Sequence, residues 1–370
     1  MDAFDEPLLE IEEPAGPPPT SPEKVYDFYA TVVGGMEDVA ITEIKRVLGK
    51  VSALRVVKGR RLSRIFFHYE RSPKALMTLR SVAQVHVLLA SISGVTVGPP
   101  GLLRIAQRVG HVDLVPAAVL HDILHGPGDE VGFRLSCTAG KGHRFSASEL
   151  HQMVLTVLTL KYDVDEKTSR PYVLHLRLDG ARALFGLQLI TERKREREVY
   201  PDSVRGDVQP SVGYAIAELL RLRPQDRVLH IGCGGGQPLV EAGLAKMPGY
   251  LIGLDTSTQA VSGMRENAKR AGVAVAPLVG ERGILPIATE SVTKVIANLA
   301  PRNTVPPMPL FLFFSELLRV IRPDGQAFLI AEDRHIFTRM LDDFPGFKLL
   351  KRRPLHLQGQ HLDLYILQRK

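Results

Sequence analysis

Residues 227–255, RVLHIGCGGGQPLVEAGLAKMPGYLIGLD, constrain the fold of this 370-residue chain more than any other segment. An apolar run breaks into four glycines, a stretch of helical character follows, and a second apolar run ends in Asp255. This order predicts strand, glycine turn, helix, strand and carboxylate. Glycines let backbone N–H groups at a helix N-terminus approach a ligand closely, and the acid can accept both hydroxyls of an adenosine ribose. The segment therefore predicts a nucleotide-cofactor pocket.

The spacing of the glycines separates two classes of cofactor. The dinucleotide fingerprint G-x-G-x-x-G requires a glycine where this chain has Gln237. The chain has G-x-G-x-G at Gly232, Gly234 and Gly236, which is similar to the first motif of Rossmann-like methyltransferases that bind S-adenosylmethionine. The resemblance implies that these glycines and Asp255 bind S-adenosylmethionine, and it disfavours a nicotinamide-dependent oxidoreductase.

Composition indicates a globular protein of two or three domains. Hydrophobic residues make up 45% of the chain and charged residues 24%, which is ordinary for a soluble protein. No apolar run approaches the length of a membrane span, and the acidic N-terminus is unlike a signal peptide. Cys137 and Cys233 are too few for a disulfide framework or a zinc cluster. We therefore expect a cytoplasmic protein with no bound metal and no contact with a membrane.

The charge distribution favours a polyanionic partner. Residues 1–22 carry six acids and no Lys or Arg, so the overall net charge of +7 leaves +13 on the remainder of the chain. A basic body attracts phosphates, which makes RNA or DNA a natural partner. Charge alone is equally consistent with a basic protein that binds no nucleic acid.

Periodicity divides the chain into two halves of different character. In the first half, strands and helices mix without regular alternation, which predicts an α+β fold. The expected elements are a strand from Val25, a helix at 36–48, strands at 53–59 and 63–70, a helix at 73–89, an irregular Gly/Pro stretch, a strand at 130–137, a helix at 146–161 with a Ser146/Glu149 capping box, and a hairpin at 172–190 with Asp179-Gly180 at its turn.

The second half alternates regularly between strand and helix, which predicts a doubly wound α/β domain closed by an antiparallel hairpin. Helices are expected at 210–221, 237–246, 257–271, 309–321 and 334–342, and strands at 227–232, 250–255, 273–279, 293–299 and 326–332, with the hairpin at 347–369. In such a domain the ligand pocket lies at the carboxyl ends of the central strands.

The order of these features resembles the THUMP-domain RNA methyltransferases, especially the branch that makes N2-methylguanosine in tRNA. The segments that carry the resemblance are ATVVGGMEDVAITEI, FRLSCTAGKGHRFSASEL, ILPIATESVTKVIANLAP and ELLRVIRPDGQAFLIAED. It implies a Rossmann-like class I methyltransferase domain preceded by a THUMP-type RNA-binding half. The implied divisions are a disordered acidic, Pro-rich tail at 1–22, a ferredoxin-like α+β segment at 23–75, a THUMP-like domain at 76–192, a linker at 193–208 and the methyltransferase domain at 209–370.

The resemblance also assigns roles to particular residues. Lys141, His143 and Arg144 lie on a turn between a strand and a helix, where cationic side chains and helix N–H groups can hold RNA phosphates. A solvated basic turn is the alternative. Glu281 follows the strand at 273–279, at the position where the family has an acid that contacts the adenine amino group.

The motif for the target base is expected after the strand at 293–299, where this chain reads Asn298-Leu299-Ala300-Pro301. In the family, the first position accepts a hydrogen bond from the exocyclic amine of the base, and an aromatic ring stacks on the flipped base. Asn298 keeps the acceptor, whereas Pro301 replaces the ring. The resemblance therefore implies catalytic roles for Asn298 and Pro301 and a guanosine amine as the methyl acceptor.

Two departures from the family pattern leave a second interpretation open. His230 stands two residues before the first glycine, where the family normally has an acid that holds the methionine amino group, and the target-base motif has lost its ring. Both changes are also expected in a catalytically decayed pseudo-methyltransferase that binds RNA or serves as a partner subunit. An activating protein partner is compatible with either interpretation.

Overall fold

The computed structural model describes residues 26–59, 61–127, 132–162, 172–192, 198–201, 207–247, 249–299, 310–332, 341–342, 344–357 and 359–370. The predicted tail, Pro301, most of the charged linker and nearly all of the predicted helix at 334–342 lie outside these residues. Among the described residues, no helix combines the length and the apolar character that crossing a bilayer requires.

Seven strands of the N-terminal half form one sheet in the order β2-β3-β1-β4-β7-β6-β5, in which only β5 and β6 are parallel neighbours. The strands are β1 (Tyr26–Val33), β2 (Ser52–Val57), β3 (Leu62–Tyr69), β4 (Gln84–Ile92), β5 (Phe133–Ala139), β6 (Tyr172–Asp179) and β7 (Arg182–Thr191). Its helices are α1 (Glu37–Leu48), α2 (Pro99–Gly110), α3 (Val115–His125) and α4 (Ala147–Tyr162). This is the α+β half that the sequence predicts.

The two faces of this sheet have different chemistry because side chains alternate along each strand. Phe28, Ala30 and Val32 of β1 belong to one buried cluster with residues of all four helices. Tyr29 points to the opposite face, where it lies beside Phe66 of β3 and His86 of β4. The helices therefore cover one face, and the other is polar and aromatic.

The polar face is concave. Arg64 of β3 donates to Asp179 of β6 at 3.0 Å, although three strands separate β3 from β6 in the sheet order. Only a strongly curled sheet brings these side chains together. Register shifts in β4–β7 and β2–β3 pairing accompany the curl, as bulges commonly do.

The structure corrects the predicted helix at 73–89. A short 3₁₀ helix spans Pro73–Thr78, and Gln84–Ile92 forms β4 between β1 and β7. Val85 and Val87 point into the core, while His86 between them points to the polar face. A short apolar run fits a helix or a strand, and here pairing with two neighbouring strands decides between them.

Two helices occupy the stretch predicted to be irregular. They are α2 and α3, and both have proline in their first turn. Proline at the first helical positions lacks only an N–H that has no partner inside the helix, so these prolines start helices. The hairpin prediction is also displaced by one residue, because Gly180-Ala181 forms the loop and Asp179 pairs with Arg182.

The C-terminal half contains the predicted doubly wound sheet, in the order β10-β9-β8-β11-β12-β14-β13. The strands are β8 (Arg227–Ile231), β9 (Tyr250–Asp255), β10 (Ala276–Val279), β11 (Val292–Asn298), β12 (Ile321–Ala331), β13 (Phe347–Leu357) and β14 (Gln360–Arg369). β8 to β12 are parallel, and β13–β14 is the predicted antiparallel hairpin. The helices are α5 (Pro210–Leu220), α6 (Gln237–Leu244), α7 (Thr258–Ala271) and α8 (Leu310–Val320).

Ion pairs join the two halves. Arg80, which follows the 3₁₀ helix, contacts Glu241 of α6, whose side chain is fully buried. Arg46 of α1 contacts Glu218 of α5 at 2.6 Å. On the hairpin, Arg353 contacts Asp38 of α1. The N-terminal half therefore packs against two helices and the closing hairpin of the C-terminal half.

Candidate functional site

The glycine loop lies between the end of β8 and the start of α6. Gly232, Gly234 and Gly236 all have positive φ, at +67°, +51° and +80°, a region that residues with a Cβ rarely adopt. A Cβ on Gly236 would lie 2.4 Å from Cγ of Met264 on α7. The glycines are therefore needed both for the turn and for close packing under it.

Asp255 ends β9 and faces the glycine loop. The residue is 6% exposed, and its Oδ2 accepts a hydrogen bond from Gly234 N at 3.1 Å, while Oδ1 accepts from Ser257 N at 3.1 Å. A carboxylate has about four acceptor positions, so both oxygens can accept further donors. The structure thus brings together the glycines and the acid that the sequence selected for cofactor binding.

A second carboxylate, which the sequence did not single out, also reaches this loop. Asp207 precedes α5 and is 8% exposed. Its Oδ2 accepts from Gly235 N at 2.8 Å and from Nε2 of Gln237 at 3.3 Å. Sequence reasoning placed Asp207 in the charged linker, where no local pattern indicated a contact 28 residues further along the chain.

Glu281 and its neighbour Arg282 occupy the loop after β10. Gly280 N donates to Asp255 O at 3.1 Å, which places Glu281 beside the end of β9, where its side chain is exposed. Arg282 lies over the glycine loop: a Cβ on Gly232 would be 2.7 Å from its Nη2. The arginine is a further residue at this site that sequence reasoning missed.

His230 and Asn298 are polar residues near the carboxyl ends of β8 and β11. His230 lies in β8 between Gly253 of β9 and Ile296 of β11 and is 4% exposed. Asn298 is the last residue of β11 and is 7% exposed. Because Ala297 pairs with Ile231, Asn298 lies at the same sheet edge as the glycine loop.

These residues fit the groups of S-adenosylmethionine. The glycines keep the loop backbone bare of side chains of its own, so that Asp207 and Arg282 lie directly against it, and the acids provide acceptors for ribose hydroxyls and for an ammonium group. Gly232, Gly234, Gly236 and Asp255 would hold the adenosine part. The side chain of Glu281, on the loop after β10, is exposed to solvent and is not part of the hydrophobic core.

The basic turn lies in the N-terminal half, between β5 and α4. Lys141 and Arg144 are exposed, and Nε2 of His143 bonds to Gly180 O at 2.9 Å. The predicted capping box is present, since Glu149 Oε2 accepts from Ser146 N at 2.7 Å and Ser146 Oγ accepts from Glu149 N at 3.1 Å. Ser146 and Glu149 cap the start of this helix, so an anion at this turn would be bound by the basic side chains and not by the helix N–H groups.

Further arginines surround the Gly180 turn that His143 contacts. Arg177 and Arg182 flank it on β6 and β7, and Arg64 reaches Asp179 across the concave face. The pKa of Arg55 is lowered mainly by burial and also by the nearby charge of Arg182. Arg55 therefore lies near the same turn. We call Arg55, Lys141, His143, Arg144, Arg177 and Arg182 the basic rim.

The basic rim extends toward the C-terminal half along β3. The pKa of His356 in β13 is lowered mainly by burial, then by the charge of His361 and then by that of Arg61. Arg61, three residues before Arg64, therefore lies close to His356. The β13–β14 turn follows His356 and lies at the edge where the parallel strands end, because Asp363 pairs with Ala331 of β12. Arg61 therefore lies on the side of the N-terminal half that faces β13.

Comparison with known sequences gives a family match over the glycine loop and the strands around it. The profile of a family described as methyltransferase domain matches residues 228–325. Arsenite methyltransferase of Halobacterium salinarum is 36% identical over 112 residues, which are 29% of this chain and 27% of that protein. The match thus spans about a quarter of the relative's length and identifies a methyltransferase domain in the C-terminal half.

Solved structures match the fold of nearly the whole chain. TrmN from Thermus thermophilus has a TM-score of 0.73 at 21% identity, over 93% of this chain and all of that one. The structure of SMU.472 complexed with SAH has a TM-score of 0.67 at 15% identity, over 93% of this chain and 98% of that one. Together with the family match, this arrangement supports a methyltransferase that uses S-adenosylmethionine.

Proposed function

We propose that this chain is an S-adenosylmethionine-dependent RNA methyltransferase that acts on tRNA, with the exocyclic amine of a guanosine as the methyl acceptor. The position of Asn298 carries the proposal. It ends β11 beside the strand that leads into the glycine loop, so an acceptor for a base amine lies next to a methyl-donor pocket. The resemblance to the THUMP-domain family supports the choice of RNA.

Orientation is the main contribution of the chain to the reaction. S-adenosylmethionine would supply a methyl group on a sulfonium: the N–CH3 bond forms in line with the S–CH3 bond that breaks, S-adenosylhomocysteine leaves, and the nitrogen loses one proton. Asn298 Oδ1 accepts one N–H of the amine and so directs the nitrogen lone pair toward the donor. Asp255 and the glycine loop, which are joined by the hydrogen bond from Gly234 N, would fix the adenosine end of the donor. Pro301 belongs to the same target-base motif.

The basic rim is the proposed contact for the RNA backbone. Lys141, His143 and Arg144 provide cationic side chains on one turn, and the arginines around Gly180 extend the surface. Contacts of this kind position a nucleic acid without reading its sequence. A single flipped guanosine would then enter the pocket at the carboxyl ends of β8 and β11.

The second candidate is a pseudo-methyltransferase that binds RNA or a partner subunit. The buried His230 at the position of the usual acid, together with Pro301 in place of an aromatic ring, favours it. It requires the same basic rim but no methyl transfer.

Methylation of RNA from a strain that lacks this gene tests the enzyme directly. The full-length protein is incubated with that RNA and S-adenosylmethionine, and the digested nucleosides are separated by mass spectrometry. N2-methylguanosine in the tRNA fraction is the expected product. A different methylated nucleoside would refute the guanosine assignment, and methylation of DNA instead would refute RNA as the substrate. Binding of RNA with no methylated product would favour the pseudoenzyme.

Charge removal tests the basic rim. Lys141→Ala combined with Arg144→Ala should lower RNA affinity and reduce the steepness of its salt dependence, because fewer counterions are released on binding. Arg265→Ala combined with Lys269→Ala is the matched control, since both residues are exposed on α7 of the C-terminal half. Equal losses in the two double variants would mean that the effect is one of net charge only.

A further inference from the structure

Asp207 and the glycine loop are closely fitted to each other. A Cβ on Gly234 would lie 1.8 Å from Oδ1 of Asp207, and Gly234 has a φ of +51°. The other oxygen of Asp207 accepts from Gly235 N at 2.8 Å. The backbone at 234–235 thus lies against this carboxylate, and residue 234 must be glycine for the contact to exist.

The two peptide N–H groups of this loop go to two different acids. Gly234 N donates to Asp255, and Gly235 N donates to Asp207. Asp255 ends β9 and is the acid proposed for the ribose hydroxyls. Asp207 comes from the segment before α5 and contacts Gln237, the first residue of α6. The loop is therefore flanked by a carboxylate at each end, and only that of Asp255 has a role in the proposed function so far.

The part of S-adenosylmethionine beyond the sulfonium carries an α-ammonium and a carboxylate. An ammonium group is all donor and is best held by a carboxylate. His230, at the position where the methyltransferase motif has an acid, cannot supply one, and the side chain is 4% exposed within the sheet. Asp207 supplies a carboxylate at the same glycine loop from outside the motif.

We propose that Asp207 binds the α-ammonium group of the methionine part of S-adenosylmethionine, in the role that an acid at position 230 would otherwise have. This inference rests on the proposed function, because it names a further residue for the same donor pocket. The hydrogen bonds from Gly235 and Gln237 hold the carboxylate in place against the glycine loop. The opposite possibility is that Asp207 closes the loop and competes with the donor.

Two ligands that differ only beyond the sulfur separate these possibilities. S-adenosylhomocysteine has the amino-acid group, and 5′-methylthioadenosine lacks it. In calorimetric titration of the full-length protein, Asp207→Asn should weaken S-adenosylhomocysteine about tenfold, the loss expected for one charge-assisted hydrogen bond, and should leave 5′-methylthioadenosine unchanged. Asp207→Glu should restore part of the preference for S-adenosylhomocysteine.

Asp226→Asn is the matched control. Asp226 is also a buried acid, at 7% exposure, and it accepts from Arg223 N at the opposite end of β8. Neither ligand should respond to its replacement. Thermal melting of each variant shows whether the fold is intact, and if Asp207→Asn does not fold, the ratio of the two affinities in Asp207→Glu decides.

Each other outcome overturns the inference in a recognisable way. Equal weakening of both ligands would make Asp207 a structural part of the loop. Unchanged or tighter binding of S-adenosylhomocysteine would make Asp207 a competitor of the donor. Failure of the unaltered protein to bind either ligand would overturn the proposed function itself, and this inference with it.

Discussion

Gly35 and Pro354 touch across the two halves of the protein: a Cβ on residue 35 would lie 2.0 Å from the carbonyl oxygen of Pro354. The neighbouring Arg353 donates to Gly35 O at 3.0 Å and to both carboxylate oxygens of Asp38 at 2.6 Å. The glycine turn after β1 is thereby fixed to the closing hairpin, which borders the sheet on the side of β12. We infer that this contact sets the position of the basic rim relative to the glycine loop.

Replacement of Gly35 should be costly because the contact leaves no room. Gly35 has a φ of +93°, so Gly35→Ala adds backbone strain to the clash, and together these should lower the free energy of unfolding by about 3 kcal/mol. Gly180→Ala is the control, since Gly180 has a φ of +53° but no atom within 4 Å of an added Cβ. Urea unfolding of both variants checks this. Losses of equal size would show that strain alone is responsible.

The Asp38–Arg353 pair should make stability depend on pH in the acid range. The hydrogen bond from Arg353 is the main cause that lowers the pKa of Asp38 below its usual value. A lowered pKa in the folded state stabilises above the unfolded pKa, near about 4, and the contribution is lost as pH falls toward the folded value. Asp38→Asn should therefore be less stable than the unaltered protein at pH 6, and this difference in stability should shrink progressively as pH falls below about 4.

A double variant separates this pair from other acidic groups. In an Arg353→Met background, Asp38→Asn should no longer change the pH dependence of urea unfolding, because the cause of the lowered pKa is gone. A persistent difference would assign the effect to another partner of Asp38.

The C-terminal half was more predictable from sequence than the N-terminal half for a physical reason. In this domain most of the parallel strands are followed by a helix of their own, so local apolar periodicity determines the elements. In the first half, β4 lies between β1 and β7, whose partners come from distant parts of the sequence. The apolar run at 84–92 therefore carries no local sign of whether it is strand or helix.

The candidate site divides in the same way. Gly232, Gly234, Gly236 and Asp255 belong to one strand–helix–strand unit, and spacing was enough to select them. Asp207 and Arg282 reach the loop from other segments, where nothing in the neighbouring sequence indicates it. Their contribution follows only from the way α5 and the loop after β10 pack around the sheet edge.

Glu241 should be among the most sensitive positions for stability. Its side chain is fully buried and accepts from Nε of Arg80 at 2.7 Å and from the hydroxyl of Tyr200 at 2.8 Å. Glu241→Gln leaves the arginine charge without its counter-charge, so the free energy of unfolding should fall by about 3–5 kcal/mol. Chemical denaturation measures the loss. Glu241→Leu combined with Arg80→Met should recover much of it, and no recovery would argue against the ion pair as the cause.

Asn298 should affect methyl transfer without affecting the donor. Asn298→Ala removes the acceptor for the base amine, so methyl transfer should slow about 100-fold through loss of orientation, while the affinity for S-adenosylhomocysteine stays unchanged. Asn298→Asp keeps an oxygen acceptor and should retain most of the rate. Single-turnover kinetics together with calorimetry separates the two effects. A parallel loss of donor affinity would place Asn298 in the cofactor pocket instead.

His86 should reduce stability at mildly acidic pH. The residue is 2% exposed, its ring stacks on Tyr29 at 4.5 Å, and burial, followed by the charges of His175 and Arg64, holds its pKa well below the usual 6.5. Its contribution to stability is thus present above about pH 6.5 and is lost at lower pH, because the unfolded chain then binds a proton that the folded one does not. His86→Phe keeps a ring against Tyr29, and its stability relative to the unaltered protein should rise by up to about 1.4 kcal/mol for each pH unit below 6.5.

His68→Phe is the opposite control. Burial lowers the pKa of His68, but hydrogen bonds to Glu70 and Asp27 outweigh it and raise that pKa. That variant should lose relative stability as pH falls toward 6.5 from above and change little below 6.5, because the contribution of His68 is already complete there. A gain for both variants below pH 6.5 would contradict the assignment to His86.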